Sequence, residues 1–421
     1  MSDAPNRTTF PAFPEFRMSL PTRPRLRPLE IKRLRQDGRE FFYLRDLLAL
    51  SGEELLVPIE LGPALALFDG EHELPVIRAR CLLHAGLDLA PADLAELVRR
   101  LDAALLLEGE RVEQAKREVL NAFRSAPCRP AALAERIYPG EPAALRAQLA
   151  AFAVRAERVP PPAGIVAGVL SPHIDYARGG TVYAAGWRQA EAAARAAKRA
   201  IVLGTDHAGS GGRLTLTRQR YATPFGTLPA DGELVEALAA ALGEELGFAE
   251  ELHHRNEHSI ELASVWLHHA RGGEPLPVLP LLCGHPGPFL GSGRLSGDDI
   301  EPAIDLLRAA VADGALVVVA GDLAHVGPAF GDPRPFGPAE RAAVEAADRA
   351  ALAACAGGAE ALLREVGAIE DRYRICGLTP LALALAILPP VRFEPAAYAQ
   401  CPADEAGASF VSIAAGCFVR Q

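Results

Sequence analysis

Short apolar runs alternate with stretches of helical periodicity from about residue 128 onward. Continuous apolar runs of this kind are typical of strands covered on both faces. Their alternation with helical stretches is typical of βα units. The pattern therefore predicts an α/β fold with a largely parallel sheet and helices on both faces. The predicted strands are GIVAGVL (164–170), RAIVLG (199–204), LPVLPLL (276–282), ALVVVAG (315–321) and FVSIAAGCFV (410–419).

The first 127 residues have a different pattern. Residues 1–37 are rich in proline and arginine and predict a flexible arm. Residues 38–127 predict a small helix-rich, winged-helix-like interaction module, in which APADLAELVRRLDAALLLEG carries apolar residues at amphipathic helical spacing. The α/β domain is then expected to occupy residues 128–421.

Histidines follow four of the five predicted strands within a few residues. Ligand crevices of open α/β sheets lie outside the carboxyl ends of the strands. Histidine is the commonest metal ligand and exchanges its proton near neutral pH. We therefore expect one shared site at this edge of the sheet. The strand-end residues are Asp175 with His173, Asp206 with His207, Cys283 with His285, and Asp322 with His325.

Two further stretches are candidates for the same crevice. Glu257 and His258 stand where a helix opens and runs through ASVWLHH. Cys376 precedes the apolar helix LTPLALALAIL. A thiolate is stabilised near a helix N-terminus. From its position alone, Cys376 could serve as a ligand, as a reactive group or as a small buried apolar residue.

The segment His254-Arg-Asn-Glu257-His258 fits the zinc pattern H-x-x-E-H. That pattern needs both histidines on one face of an established helix. Asn256 and Glu257 have the character of a helix start, so His254 is expected before the first turn. A metallopeptidase is therefore not favoured.

Composition narrows the classes of function. A net charge of −10 and a pI near 5.6 argue against a dedicated nucleic-acid-binding protein. No apolar run reaches the length of a membrane span, and we expect no signal peptide. Seven scattered cysteines without a C-x-x-C pair do not indicate a disulfide framework or a zinc ribbon. A reducing cytoplasm is the expected location.

Seven motifs between residue 128 and the C-terminus resemble, in order, those of the Memo family, also called AmmeMemoRadiSam system protein B. They are RPAALAERIYP, SPHIDYARGG, LGTDHAG, YATPFGTLPAD, NEHSIE, GDLAHVG and RICGLTP. Each motif is weak alone, but the ordered set is specific. Glu135 stands where this family usually has glycine. The N-terminal module weakly resembles winged-helix modules related to the PqqD peptide-binding domain.

The Memo resemblance implies a fold similar to class III extradiol dioxygenases, which bind non-haem iron at the sheet edge. It implies that a metal is held by His173, His207 and Cys376. Asp322 and His325 fall where the family has a nearby acid and base. Glu257 and His258 would lie in the same cleft. The dioxygenases use a carboxylate as third ligand, whereas this sequence offers a cysteine.

Two imidazoles and one thiolate would leave coordination positions open for a substrate, water or oxygen. The expected metal is Fe(II), with Zn or Cu as alternatives. One expected function is a dioxygenase-like redox enzyme acting on a small molecule. The other is a non-catalytic metal- or peptide-binding partner of a radical-SAM protein. No nucleic-acid or membrane partner is expected.

Overall fold

The structure is a computed structural model that describes residues 20–292 and 300–421. It divides into two compact units, one ending at Arg117 and the other spanning Glu118–Gln421. Part of the predicted arm, residues 1–19, lies outside the described residues. Strand β1 (Glu30–Gln36) begins within the range assigned to that arm.

The first unit opens with a three-stranded antiparallel sheet, which corrects the helix-rich module predicted from the sequence. Strands β1, β2 and β3 are neighbours in chain order, and three helices follow them. The elements after β1 are β2 (Arg39–Arg45), β3 (Leu55–Pro58), α1 (Gly62–Leu65), α2 (Leu74–Ala85) and α3 (Pro91–Ala103). The boundary between the units falls within α4 (Glu110–Ser125).

A two-residue turn explains why this hairpin forms. Asp37 and Gly38 join β1 to β2 with φ angles of 50° and 76°. Positive φ at both central residues defines the type I′ turn, whose twist matches that of the flanking strands. Asp-Gly between two short runs is a strong hairpin signal, so the position predicted as the end of the arm is the turn of this hairpin.

The second unit contains ten helices and ten strands after the boundary helix, within the part of the chain that the structure describes. Its helices are α5 (Pro142–Arg155), α6 (Tyr176–Ala196), α7 (Gly232–Leu242), α8 (Glu244–Gly247), α9 (Ser259–Ala270), α10 (Gly287–Ser292), α11 (Glu301–Ala312), α12 (Pro338–Ala354), α13 (Gly358–Gly367) and α14 (Leu378–Ile387). Its strands are β4 (Val166–Ser171), β5 (Arg199–Thr205), β6 (Leu214–Thr215), β7 (Tyr221–Thr223), β8 (Gly226–Leu228), β9 (Val278–Cys283), β10 (Ala315–Ala320), β11 (His325–Val326), β12 (Val391–Pro402) and β13 (Phe410–Arg420).

An eight-stranded sheet forms the centre of this unit. Its order is β11-β13-β4-β10-β5-β9-β6, and β12 pairs with β13. The four strands β4, β10, β5 and β9 run parallel, whereas β13 and β6 pair antiparallel with the outer two. The carboxyl ends of the four parallel strands therefore meet at one edge.

Helices cover both faces of this sheet, as the apolar runs predict. Neighbouring residues of β4 belong to different cores: Val169 lies in the core that includes α5, α6 and α9, and Leu170 lies in the core that includes α7, α11, α13 and α14. Both side chains are nearly inaccessible to water. The prediction of an α/β fold with helices on both faces is confirmed.

All five predicted strands are present, with ends that differ from the predicted ends by no more than two residues. The last of them, β13, is antiparallel to its neighbours. Its partner β12 was not predicted, because Pro395 interrupts its sequence and coincides with an irregularity in the pairing.

Glu135, which stands where the resemblance implies a glycine, adopts a backbone conformation that glycine favours. Its φ of 62° lies in the left-handed region. The backbone N–H of Glu135 donates to the Tyr138 carbonyl at 2.7 Å, and its carboxylate accepts from the Gly140 N–H at 2.8 Å. These two bonds form a local turn, with glutamate in a conformation that glycine adopts more readily.

Within residues 20–292 and 300–421, the longest apolar helices fall short of what a bilayer crossing requires. All seven cysteines lie in these ranges, and none of them forms a disulfide.

A buried carboxylic acid links α12 to the outer strands of the sheet. Asp348 is 1% exposed, and the Tyr398 hydroxyl donates to its Oδ2 at 2.8 Å. Burial raises the pKa of Asp348 to about 6, although hydrogen bonds from Ser412 and Tyr398 lower it. The folded protein therefore holds this proton more tightly than the unfolded chain does.

Asp348 is expected to reduce stability as the pH rises through its folded-state pKa. Its contribution to the free energy of unfolding is fully present below 3.8, its pKa in the unfolded chain, and is lost as the pH rises above about 6, its pKa in the folded protein. A shift of this size corresponds to roughly 3 kcal/mol. The free energy of unfolding of Asp348→Asn minus that of wild type should therefore be greater at pH 7 than at pH 3.5 by roughly this amount. Urea denaturation at both pH values measures it, with the exposed Glu360→Gln as control. The same difference between Asp348→Asn and wild type at both pH values would contradict the raised pKa of Asp348.

Candidate metal centre

Three histidines from distant parts of the sequence converge at the carboxyl edge of the parallel strands. His173 follows β4, His207 follows β5, and His258 immediately precedes α9. One ring nitrogen from each lies within 4.8 Å of the other two. Ring centroids are 5.0 Å apart for His173–His207, 5.1 Å for His173–His258 and 4.7 Å for His207–His258. Together with Cys376, these residues are called the histidine–cysteine cluster below.

Hydrogen bonds at Nδ1 fix the orientation of all three rings. His173 Nδ1 lies 3.1 Å from the Ala320 carbonyl oxygen. Nδ1 of His207 and of His258 each lies 3.0 Å from the Glu257 carboxylate. Carbonyl and carboxylate oxygens accept, so in the neutral form of each ring the proton resides on Nδ1 and the Nε2 lone pair is available to a ligand. This is the arrangement that metal-binding histidines usually have.

Cys376 completes this cluster. Its Sγ lies 3.2 Å from His173 Nε2, and its backbone carbonyl accepts from the Thr205 hydroxyl at 3.0 Å. Two glycines permit the approach. A Cβ on Gly377 would lie 2.8 Å from the Gly321 Cα, which is closer than real Cβ contacts come. The segment before α14 therefore packs directly against the end of β10.

Asp322 supports the cluster from the end of β10. Its Oδ1 accepts from the backbone N–H groups of His173 and Ile174 at 2.8 and 3.3 Å. Its Oδ2 lies 3.7 Å from His173 Nε2. Asp322 is 2% exposed, so it holds the His173 loop in place and also adds negative charge beside that imidazole.

The remaining strand-end histidines take other positions. His325 lies beside the segment that carries Cys376: its N–H donates to the Tyr373 carbonyl at 2.7 Å, and the Arg374 side chain donates to its carbonyl at 2.9 Å. His325 Nδ1 lies 3.0 Å from the Leu323 carbonyl oxygen. His285 is exposed and accepts from the Gly287 N–H within its own loop.

Opposite charges stabilise each other within the cluster. Burial lowers the pKa of His173, but Cys376 and Asp322 outweigh it and raise that pKa to about 9. Burial likewise opposes the charged form of Cys376, yet His173 and His325 hold the pKa of its thiol well below the usual value. For Glu257, His207 and His258 overcome burial and keep the pKa of the carboxyl well below its ordinary range. Burial lowers the pKa of His258 despite the neighbouring Glu257.

A buried ion pair anchors the segment that carries Glu257 and His258. Arg129 is fully buried, and its side chain donates to the backbone carbonyls of His254 and Glu257, both at 2.7 Å. It also pairs with Glu261, in the first turn of α9. The Tyr138 hydroxyl donates to the same carboxylate. Arg129 could not be predicted as a site residue, because neither of the two arginines in RPAALAERIYP gives a sequence signal of burial.

His254 is not available as a ligand. It lies in a short 3-10 helix, Glu251–Arg255, before α9 begins, as the sequence predicts. Its two ring nitrogens contact the Tyr221 hydroxyl at 2.6 Å and the Thr215 carbonyl oxygen at 2.9 Å. Burial lowers the pKa of His254 to about 3. The H-x-x-E-H segment therefore does not form a two-histidine zinc site.

The second unit is thus an α/β domain with clustered imidazoles and a thiolate at the carboxyl edge of its parallel strands. Comparison with known proteins identifies the family. Residues 129–417 match the family described as Memo-like protein. The chain belongs to the Memo family.

Relatives of this family occur in bacteria and archaea. The chain is 33% identical over 303 residues to the MEMO1 family protein TTHA0924 of Thermus thermophilus, covering 70% of this chain and 84% of that protein. It is 23% identical over 301 residues to a MEMO1 family protein of Aquifex aeolicus, covering 71% and 76%. A MEMO1 family protein of Methanococcoides burtonii is 29% identical over 167 residues, covering 39% and 56%.

Replacing Arg129 tests how strongly the buried ion pair supports this region. Arg129→Met leaves the buried Glu261 carboxylate without its cation, and we expect the free energy of unfolding to fall by about 3–5 kcal/mol. Equilibrium urea denaturation measures this loss. As control, Arg195→Met breaks an exposed pair with Glu191 and should cost less than about 1 kcal/mol. Equal small losses in both variants would show that the Arg129 pair has no special role.

Proposed function

We propose that this Memo-family protein is a metal-binding protein and that it acts as a non-haem-metal redox enzyme similar to class III extradiol dioxygenases. The observation that carries the proposal is the shared orientation of three imidazoles, each with Nδ1 next to an acceptor. Their Nε2 atoms and the nearby Cys376 thiolate form a set of possible metal ligands. Perturbed titratable groups of this kind concentrate at functional sites.

The residues present fit a divalent transition metal. Imidazole suits Fe, Zn and Cu, and thiolate suits the softer ions among these. His173, His207 and Cys376 are the proposed ligands, with His258 adjacent as a further nitrogen donor. Fe(II) is the preferred ion, because the proposed chemistry is redox. A metal bound here would supply a Lewis acid and, if iron or copper, a centre for electron transfer.

The protein's own groups have separate roles in this proposal. Glu257 fixes the rings of His207 and His258, and Asp322 fixes the loop of His173. The side chain of His258 is 39% exposed, so its Nε2 can exchange a proton with a small molecule that enters the cluster. His325, beside the Cys376 segment, is the second candidate for general acid–base work.

The alternative function is a non-catalytic metal- or peptide-binding partner of a radical-SAM protein. The first unit favours it, because a separate compact module of three strands and three helices can serve for interaction with a partner. We propose a cytoplasmic location for either function. The support is that the seven cysteines form no disulfide among the described residues.

Metal content tests the ligand assignment. The full chain is loaded with Fe(II) under anaerobic conditions, desalted and measured by elemental analysis. His173→Ala and Cys376→Ser each remove one proposed ligand, so we expect the affinity for iron to fall about tenfold or more. His285→Ala is the matched control, because it removes an exposed histidine at the end of a neighbouring strand. Full iron retention by both ligand variants would refute the assignment.

His258→Ala separates a ligand from a proton-transfer group. As a proton-transfer group, His258 can be removed without loss of iron while turnover falls about 10²–10⁴-fold. Loss of iron would instead make His258 a ligand and reject the proton-transfer role. Iron content together with O2 consumption in the presence of catechols reports both quantities. Bound iron with no O2 consumption by the wild type would favour the non-catalytic alternative.

A further inference from the structure

A second group of metal-ligating side chains lies next to the histidine–cysteine cluster without sharing a residue with it. Asp206 directly follows β5, and Glu250 and His253 come from the segment around the 3-10 helix Glu251–Arg255. One ligand atom from each lies within 4.8 Å of the other two. His253 Nδ1 is 3.0 and 2.9 Å from the two Asp206 carboxylate oxygens.

Each member of this group is held in position by its surroundings. The Asp206 N–H donates to the Cys283 carbonyl at 2.9 Å, which fixes the residue at the strand end. The Ser210 N–H donates to both Glu250 carboxylate oxygens at 3.2 Å. Between them, Gly209 packs on Asp206 so closely that a Cβ would lie 2.5 Å from Asp206 Oδ2. The loop therefore brings Glu250 and Asp206 together.

Two of the three side chains in this group are largely shielded from water. The Asp206 side chain is 1% exposed and that of His253 is 11% exposed. Glu250 is half-buried. Buried charges in proteins are paired or coordinate a metal. Ligand atoms of two carboxylates and one imidazole converge here, and a divalent cation among them could contact all three side chains.

The spacing also fits a shared ion. Metal–oxygen and metal–nitrogen bonds to zinc are about 2.0–2.2 Å, so two ligands of one ion lie no more than about 4.4 Å apart. The Asp206–His253 distances already meet this limit, and a spread of at most 4.8 Å needs only a small closing movement. Two oxygens and one nitrogen form a harder donor set than three imidazoles and a thiolate.

We propose that Asp206, Glu250 and His253 form a second divalent-cation site, suited to Mn²⁺ or Zn²⁺ and separate from the histidine–cysteine cluster. The two sites use neighbouring residues of the same segments: Asp206 beside His207, and His253 four residues before Glu257. A cation at the second site ties the loop after β5 to the segment before α9. It thereby steadies two of the segments that carry the first site.

Mn²⁺ titration tests this site in a background that disables the first one. The His173→Ala variant of the full chain is titrated with Mn²⁺, and the free ion is counted by electron paramagnetic resonance. We expect one bound equivalent in His173→Ala, and at least about tenfold weaker binding after adding Glu250→Gln or His253→Gln. Ser210→Ala is the matched control, since it removes a neighbour of Glu250 but no ligand.

Two results would overturn the second site. One is the absence of Mn²⁺ binding by His173→Ala at millimolar concentration, with Cys376→Ser as a second background in case His173→Ala does not fold. The other is unchanged Mn²⁺ binding after Glu250→Gln and His253→Gln. Neither result bears on iron binding at the histidine–cysteine cluster, so the two proposals can fail separately.

Discussion

One buried carboxylate organises the candidate metal centre. Glu257 is 8% exposed and lies within 3.0 Å of Nδ1 in both His207 and His258, so a single group sets two ring orientations. Its carboxylate also accepts from the backbone N–H groups of His207 and His258. The fully buried Arg129 holds the Glu257 carbonyl in turn. Loss of this carboxylate would free both imidazoles to rotate and would leave their Nε2 atoms without a common direction.

The sheet determines which residues can meet there. Parallel order β4-β10-β5-β9 brings the ends of strands separated by up to 150 residues to one edge. His173, His207 and Asp322 are placed by this order alone. Cys376 is not at the end of a strand. The close contact between Gly321 and Gly377 brings it to this edge. A rigid sheet and one glycine contact thus position donors that the chain keeps far apart.

Much of this arrangement could be predicted from the sequence. Apolar runs predicted the five main strands, and the histidines after them indicated a shared edge, because parallel strands end together. Strand β12 was missed since Pro395 breaks its pattern, and the β1–β2 hairpin was missed although Asp37-Gly38 signals it. The position of His285 outside the cluster, and the contacts of Arg129 and His253, could not be predicted. They depend on loop paths and long-range packing that local periodicity does not encode.

The central claim is that His173, His207 and Cys376 bind one metal ion. X-ray absorption spectroscopy on the iron- or zinc-loaded protein examines those bonds directly. We expect a sulfur scatterer at about 2.3 Å together with nitrogen scatterers near 2.0–2.1 Å and the outer-shell signature of imidazole. A spectrum with oxygen scatterers only, without sulfur and without imidazole, would contradict it.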